Sequence, residues 1–174
     1  NYSGGLLVSW FEPVDSTTFG LFWSEYDKGV WSKPGLIYSS GDFFINWADF
    51  PSIFHFRDSV FVAHWPEMSS TGTYDYDVKL AFSMDRGLSW SDPIIPHRDG
   101  KNAEHGFVSF YKDDKENLGL VWLDGRQMAG GHGGQGTHGN MNLYTTSFDQ
   151  DLIDSLKKEP EDLTTWNIIK QIQF

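Results

Sequence analysis

The sequence predicts an all-β protein made of repeated four-stranded antiparallel meanders, the unit of a β-propeller blade. Three observations carry this. The octapeptide Ser83-Met84-Asp85-Arg86-Gly87-Leu88-Ser89-Trp90 recurs in decayed form on both sides, and internal self-similarity marks a repeat architecture. Upstream, Ser24 and Trp31 keep the separation, with Asp27 and Gly29 each displaced by one position; downstream, Ser147 and Asp149 open a copy that Thr165-Trp166 closes after an insertion. Each copy follows an apolar–polar alternating run, such as Lys79-Leu80-Ala81-Phe82. Finally, aromatic residues make up 17% of the 174 residues and glycines number 18, a mix that favours strands and tight turns over helices.

The second unit is the best defined. Strands are expected at 50–56, 60–65, 78–82 and 91–96, joined by a polar turn at 57–59, a loop at 66–77 and the octapeptide turn, which is hairpin spacing throughout. In that turn Ser and Asp side chains can bond nearby backbone N–H groups, Gly87 supplies backbone freedom, and Trp90 buries a flat surface against its hairpin. The first unit repeats the order at 5–11, 19–23 and 32–38 and lacks an inner strand. The third places strands at 106–111, 118–123, 141–146 and 166–172. The echo Trp31-Ser32-Lys33-Pro34 against Trp90-Ser91-Asp92-Pro93 sets the register. The chain thus reads as one domain, 1–174, with blades at 1–40, 46–98 and 103–174. Residues 151–163 read as a loop or short helix inserted into the third turn. A helix at 161–171, with Leu163, Trp166, Ile169 and Ile172 on one face, is the alternative to the last strand.

A formal net charge of -11 without a Lys/Arg cluster argues against nucleic acid and anionic membrane surfaces as partners. The absence of cysteine excludes disulfides and thiolate metal sites. No run approaches the roughly 20 apolar residues that span a bilayer. The chain opens in mid-strand without a signal peptide, which suggests a fragment. Three blades cannot close a ring and leave edges open. Missing sequence, favoured by the absent first inner strand, or a second chain is expected to supply the rest.

Ser83, Asp85, Gly87 and Trp90 match the pattern of the Asp-box, or bacterial neuraminidase, repeat, with Ser89 in place of its threonine. The chain therefore resembles sialidase-superfamily proteins. The stretch Trp122-Leu123-Asp124-Gly125-Arg126, followed by a Gly/His-rich loop, is similar to bacterial sialidase-like proteins. The resemblance implies a six-bladed propeller, a carbohydrate partner (sialic-acid-like or another glycan), no cofactor, and an extracellular or periplasmic location. It implies hydrolysis of a terminal acidic sugar or, alternatively, a non-catalytic module binding glycan or protein. It also puts the Asp-box turns on the rim away from substrate.

On the opposite face the meander gathers the loops 13–18, 66–77 and 124–140 and the crossings carrying Asn46, Trp47, Asp49, Asn102, Glu104 and His105. Long glycine-rich loops on a rigid scaffold are common binding elements. Asp49 and Glu104 are the candidates for proton work, their carboxylates pointing into a central funnel. Arg126 and Arg98 are the candidates for gripping a sugar carboxylate through charge-assisted bonds, with Asp124 and His105 beside them, and Trp47, Trp65 and Trp122 could stack on a sugar ring. A sialidase uses an arginine triad and a Tyr nucleophile assisted by Glu, with an Asp as acid/base; this chain offers two arginines on that face, since Arg57 and Arg86 fall in the opposite turns. Each candidate has a structural reading too. Arg126 could pair with Asp124, Asp49 could cap an inner strand, Glu104 and His105 could be strand-edge polarity, and Trp47, Trp65 and Trp122 could pack between blades. His132 and His138 lack a clear third ligand, so no metal is expected.

Overall fold

Three antiparallel sheets follow one another along the chain in a computed structural model that describes residues 5–128, 139–155 and the backbone of 169–172. The first contains β1 (Leu6–Pro13), β2 (Phe19–Asp27), the short β3 (Val30–Trp31) and β4 (Gly35–Ser40), with β2 central to the other three. The second contains β5 (Ser52–Arg57), β6 (Val60–Met68) and β7 (Tyr76–Ser83) in that order. The third runs β8 (His105–Lys112), β9 (Leu118–Asp124), β10 (Asn142–Phe148) and β11 (Ile169–Ile172). A short helix, α1 (Gln150–Ser155), precedes β11. Residues 169–172 are therefore a strand, as the repeat predicts, and among the described residues a helix stands at the start of the insertion.

One expectation fails. The second sheet has no fourth strand at 91–96: Ile94 exchanges both backbone bonds with Leu80 at 2.9 Å and Ser91 N–H reaches Phe82 O at 2.8 Å, without forming a regular strand. In that register Pro96 would face Val78. Proline has no N–H to donate, so pairing cannot extend in that direction.

A pattern missed in the sequence explains how the sheets stack. The second strand of each unit reads apolar-x-apolar-x-Trp-x-acid: Leu6, Val8, Trp10, Glu12; then Phe61, Ala63, Trp65, Glu67; then Leu118, Leu120, Trp122, Asp124. Alternate residues of a strand share a face. In each copy the indole N–H donates to the carboxylate two residues on, at 3.2, 2.8 and 2.8 Å. Phe61, Ala63 and Trp65 bury against Leu21, Trp23 and Ile37 of the first sheet. Leu118, Leu120 and Trp122 bury against Val62, Val78, Leu80 and Phe82 of the second. The second sheet thus turns one face to the sheet before it and the other to the sheet after it.

The turn at 83–90 folds by the chemistry expected. Ser83 Oγ accepts the Gly87 N–H at 2.7 Å and donates to Asp85, whose carboxylate takes Ser89 N–H at 2.9 Å and Ser89 O–H at 2.6 Å. Those bonds hold the Asp85 carboxyl below its ordinary value against the opposing effect of burial. Arg86 and Gly87 have φ of 60° and 82°, and Lys28 and Gly29 of the upstream copy have 49° and 87°. A Cβ at Gly87 would overlap the Trp23 ring. Trp90 is a partial correction: its ring joins the core between the first two sheets rather than only its own hairpin. In the third copy Asp149 has become a helix cap, accepting Leu152 N–H at 2.8 Å. Thr165-Trp166 lie outside the described residues.

Candidate functional site

The end of the sheets opposite the Ser83–Trp90 turn gathers the titratable groups. Arg86 N–H bonds Ser59 O at 2.8 Å, which ties that turn to the β5–β6 turn. Tyr76 stands at the other end of β7, roughly 23 Å away at the usual rise of a strand. Asp85 and Arg86 are thereby remote from the site, and Arg86 pairs with Glu25 of the first sheet at 3.2 Å. Arg57 likewise serves the turn end, bonding Gln150 and Asp154 of α1.

Around Tyr76 three elements converge. Asn46 caps the crossing from the first sheet, its Oδ1 accepting the Ala48 and Asp49 N–H groups at 2.8 Å each. Asp49 is thereby turned inward and buried, and its Oδ2 accepts the Phe107 N–H at 3.0 Å. Tyr76 O–H donates to Glu104 Oε1 at 3.2 Å, and the Asp49 carboxyl and the Tyr76 hydroxyl both lie against Gly106. Burial raises the Asp49 carboxyl above its ordinary value, with the Phe107 N–H and the Tyr76 hydroxyl opposing and Glu104 adding to the rise. Burial and the two carboxylates push the Tyr76 hydroxyl far up. A Cβ at Gly106 would overlap Asp49 Oδ2 and crowd the Tyr76 hydroxyl, so any larger residue there must displace them.

A second cluster lies alongside. His105 is fully buried, with Nδ1 3.0 Å from Ala103 O and 3.2 Å from Tyr76 O, and Nε2 3.2 Å from Asp99 Oδ2. Both ring nitrogens therefore face acceptors, which suits an imidazolium. Burial opposes that charge, but Asp99 and Asp124 outweigh it and raise the His105 pKa. The His97 ring stacks on His105 at 3.8 Å and 2°; burial lowers its pKa, which leaves it neutral with Nδ1 donating to Asp99 at 3.1 Å. Arg126 donates to Asp124 at 2.7 and 2.6 Å, pairs with Asp99 at 3.2 Å, and lies 4.0 Å over the Tyr144 ring. Burial would raise both carboxyls; instead Asp99 is held far down by His105, His97 and Arg126, and Asp124 by Arg126 and Trp122.

The sequence candidates therefore divide. Asp49 and Glu104 are brought together through Tyr76, a residue sequence reasoning did not single out. Arg126 pairs with Asp124 and Asp99, and Asp124 and His105 are buried, as Asp49 is. Arg98 is exposed and lines a cavity of about 400 Å³ with Asp77, His97, Asp99 and Lys101. Trp65 and Trp122 are interior, whereas Trp47 is 90% exposed. His132 and His138 lie outside the described residues. Among the described residues, Asp77, His97 and His105 come close enough to share an ion, as do Asp99, His105 and Asp124. The first trio meets an obstacle, because parallel stacked imidazoles aim their in-plane lone pairs side by side rather than at one point. In the second, Arg126 and the His105 N–H already neutralise the carboxylates.

No protein-family profile and no curated protein matches the chain. Solved structures do. The chain is similar to the GH93 α-L-arabinofuranosidase of Fusarium graminearum in complex with arabinobiose, at 12% identity and a TM-score of 0.56 over 95% of this chain and 44% of that one. It is equally similar to a point mutant of an α-L-arabinofuranosidase of that fungus in complex with an iminosugar inhibitor, at 14% identity and 0.56 over 98% and 47%. The fold is a β-propeller. The three sheets are its blades, and the chain spans less than half the length of the solved structures it matches. At such identity the likeness is one of fold.

Proposed function

We propose that this propeller acts on carbohydrate as a sialidase-like, Asp-box-bearing glycoside hydrolase. In this reading Asp49 is the proton donor to the leaving oxygen and Glu104 is the carboxylate partner. The observation that carries it is the gathering of the Asp49 and Glu104 carboxyls beside the Tyr76 hydroxyl, which donates to Glu104. Glycosidases commonly split the acid and base roles between two carboxyls whose environments separate their pKa values. Burial raises the Asp49 carboxyl above its ordinary value, which suits it to hand on a proton. Tyr76 itself, buried between two carboxylates, is held protonated and suits a bridging role better than a nucleophilic one.

The solved structures of like fold are carbohydrate enzymes bound to arabinobiose and an iminosugar, which supports the substrate class. A neutral terminal sugar fits better than an acidic one, because Arg126 is saturated by Asp124 and Asp99 and the net charge is -11. Arg98 and Lys101 at the cavity mouth are what favours the acidic-sugar reading. An extracellular or periplasmic location goes with either.

Release of arabinose from arabinobiose and of fluorophore from a fluorogenic sialoside tests the proposal. Asp49→Asn and Glu104→Gln are each expected to lower kcat/KM at least a hundredfold, with Asp85→Ala leaving it unchanged. Turnover that survives both carboxyl substitutions would overturn it.

A further inference from the structure

Three exposed aromatic rings sit on the backbone that positions Asp49. Trp47 is 90% exposed, Phe50 64% and Phe107 43%. Burying such rings would stabilise the fold, so their exposure together calls for an explanation. None hangs on a slack loop. Trp47 is at the apex of the turn that Asn46 closes with two 2.8 Å bonds and a third from Nδ2 to Asp49 O at 3.3 Å. Phe50 follows Asp49 directly. Phe107 occupies the left-handed region at φ 53°, a conformation that bulky residues adopt only when their surroundings enforce it. Two features enforce it: the register shift between Gly106 and Ser109 in β8, and the N–H donated to Asp49 Oδ2.

We propose that Trp47, Phe50 and Phe107 form an aromatic platform that binds the apolar C–H face of a saccharide ring beside the Asp49–Glu104 pair. The inference rests on the carbohydrate reading above and deepens it by naming how the glycan is held. A sugar ring combines an apolar C–H face with a rim of O–H donors. The rings answer the first requirement, and the carboxylates next to them answer the second. An anionic ligand meets Asp49 and Glu104 unfavourably. A lipid or apolar peptide would leave those carboxyls without donors.

A printed glycan array with neutral and acidic termini, read with labelled protein, tests it. Wild type and Asp85→Ala, altered at the far end of β7, are expected to bind the same glycans. Trp47→Ala and Trp47→Ala/Phe107→Ala are expected to bind at least tenfold more weakly, while Trp47→Phe regains most of the affinity. Thermal melts matching wild type would show that the exposed sites are not structural, and Phe107→Ala retains the N–H to Asp49. Unchanged binding by the double variant, or no glycan bound by wild type, would overturn the platform. Binding that follows Trp47 without any turnover would sink the hydrolase reading and leave the platform standing.

Discussion

Asp49 shows how one buried carboxyl links stability to pH. Its pKa is raised above the ordinary 3.8 in the folded chain. The proton therefore favours the fold, with a contribution present below 3.8 and lost as pH rises through the raised value. Asp49→Asn is expected to raise the melting temperature at pH 7 and to change it little at pH 3. Asp99 and Asp124 work in the opposite sense: their pKa values are depressed, so their stabilisation is present above 3.8 and fades as pH falls through the lowered values. His105, raised above 6.5, stabilises below that pH, and its share is lost as pH rises through its folded value. Gly106 is the steric counterpart. Gly106→Ala forces the new methyl into Asp49 Oδ2 and is expected to cost about 1–3 kcal/mol in urea denaturation, with loss of any activity that depends on Asp49.

At the scale of elements, the tight turn and the outer edge explain most of the departures from a regular repeat. Asp85 carries bonds from both the N–H and O–H of Ser89. Asp85→Ala is expected to lower stability by about 1 kcal/mol, measured by urea denaturation, without altering glycan binding at the far end of β7. The turn was legible in the sequence because Ser, Asp and Gly at short fixed offsets have few other uses. The missing outer strand was not, since Pro93 and Pro96 flanked a segment whose apolar pair Ile94-Ile95 reads as a strand. The Trp-x-acid clasp was equally available as Trp10/Glu12, Trp65/Glu67 and Trp122/Asp124. It would have assigned Asp124 a structural bond before any ligand role.

For the molecule as a whole, the repeat in the second strands identifies an open face. Phe61, Ala63 and Trp65, like Leu118, Leu120 and Trp122, are covered by the preceding blade. The matching Leu6, Val8 and Trp10 are not: Leu6 is 60% exposed, and Trp10 pairs across to Phe22 and on to Leu36, itself 49% exposed. Such a row promotes association. The 174-residue span on its own is expected to self-associate in light scattering. Leu6→Asp/Leu36→Asp should reduce this without lowering the melting temperature, because neither side chain is buried in the chain.

The sequence by itself determined the fold class, the succession of blades and the face on which chemistry gathers. These follow from local rules: alternation, turn residues at short offsets, and a motif repeated three times. It also picked out Asp49 and Glu104, because crossings into inner strands bring their residues toward the axis. Only the tertiary structure decided what those residues meet. That Tyr76 bonds Glu104 beside Asp49, that Asp99 joins the Arg126–Asp124 pair, that His105 is buried against Asp99 and that Phe107 N–H reaches Asp49 all depend on contacts between residues up to 58 positions apart. Their geometry is set by how the blades stack, not by their neighbours in the chain.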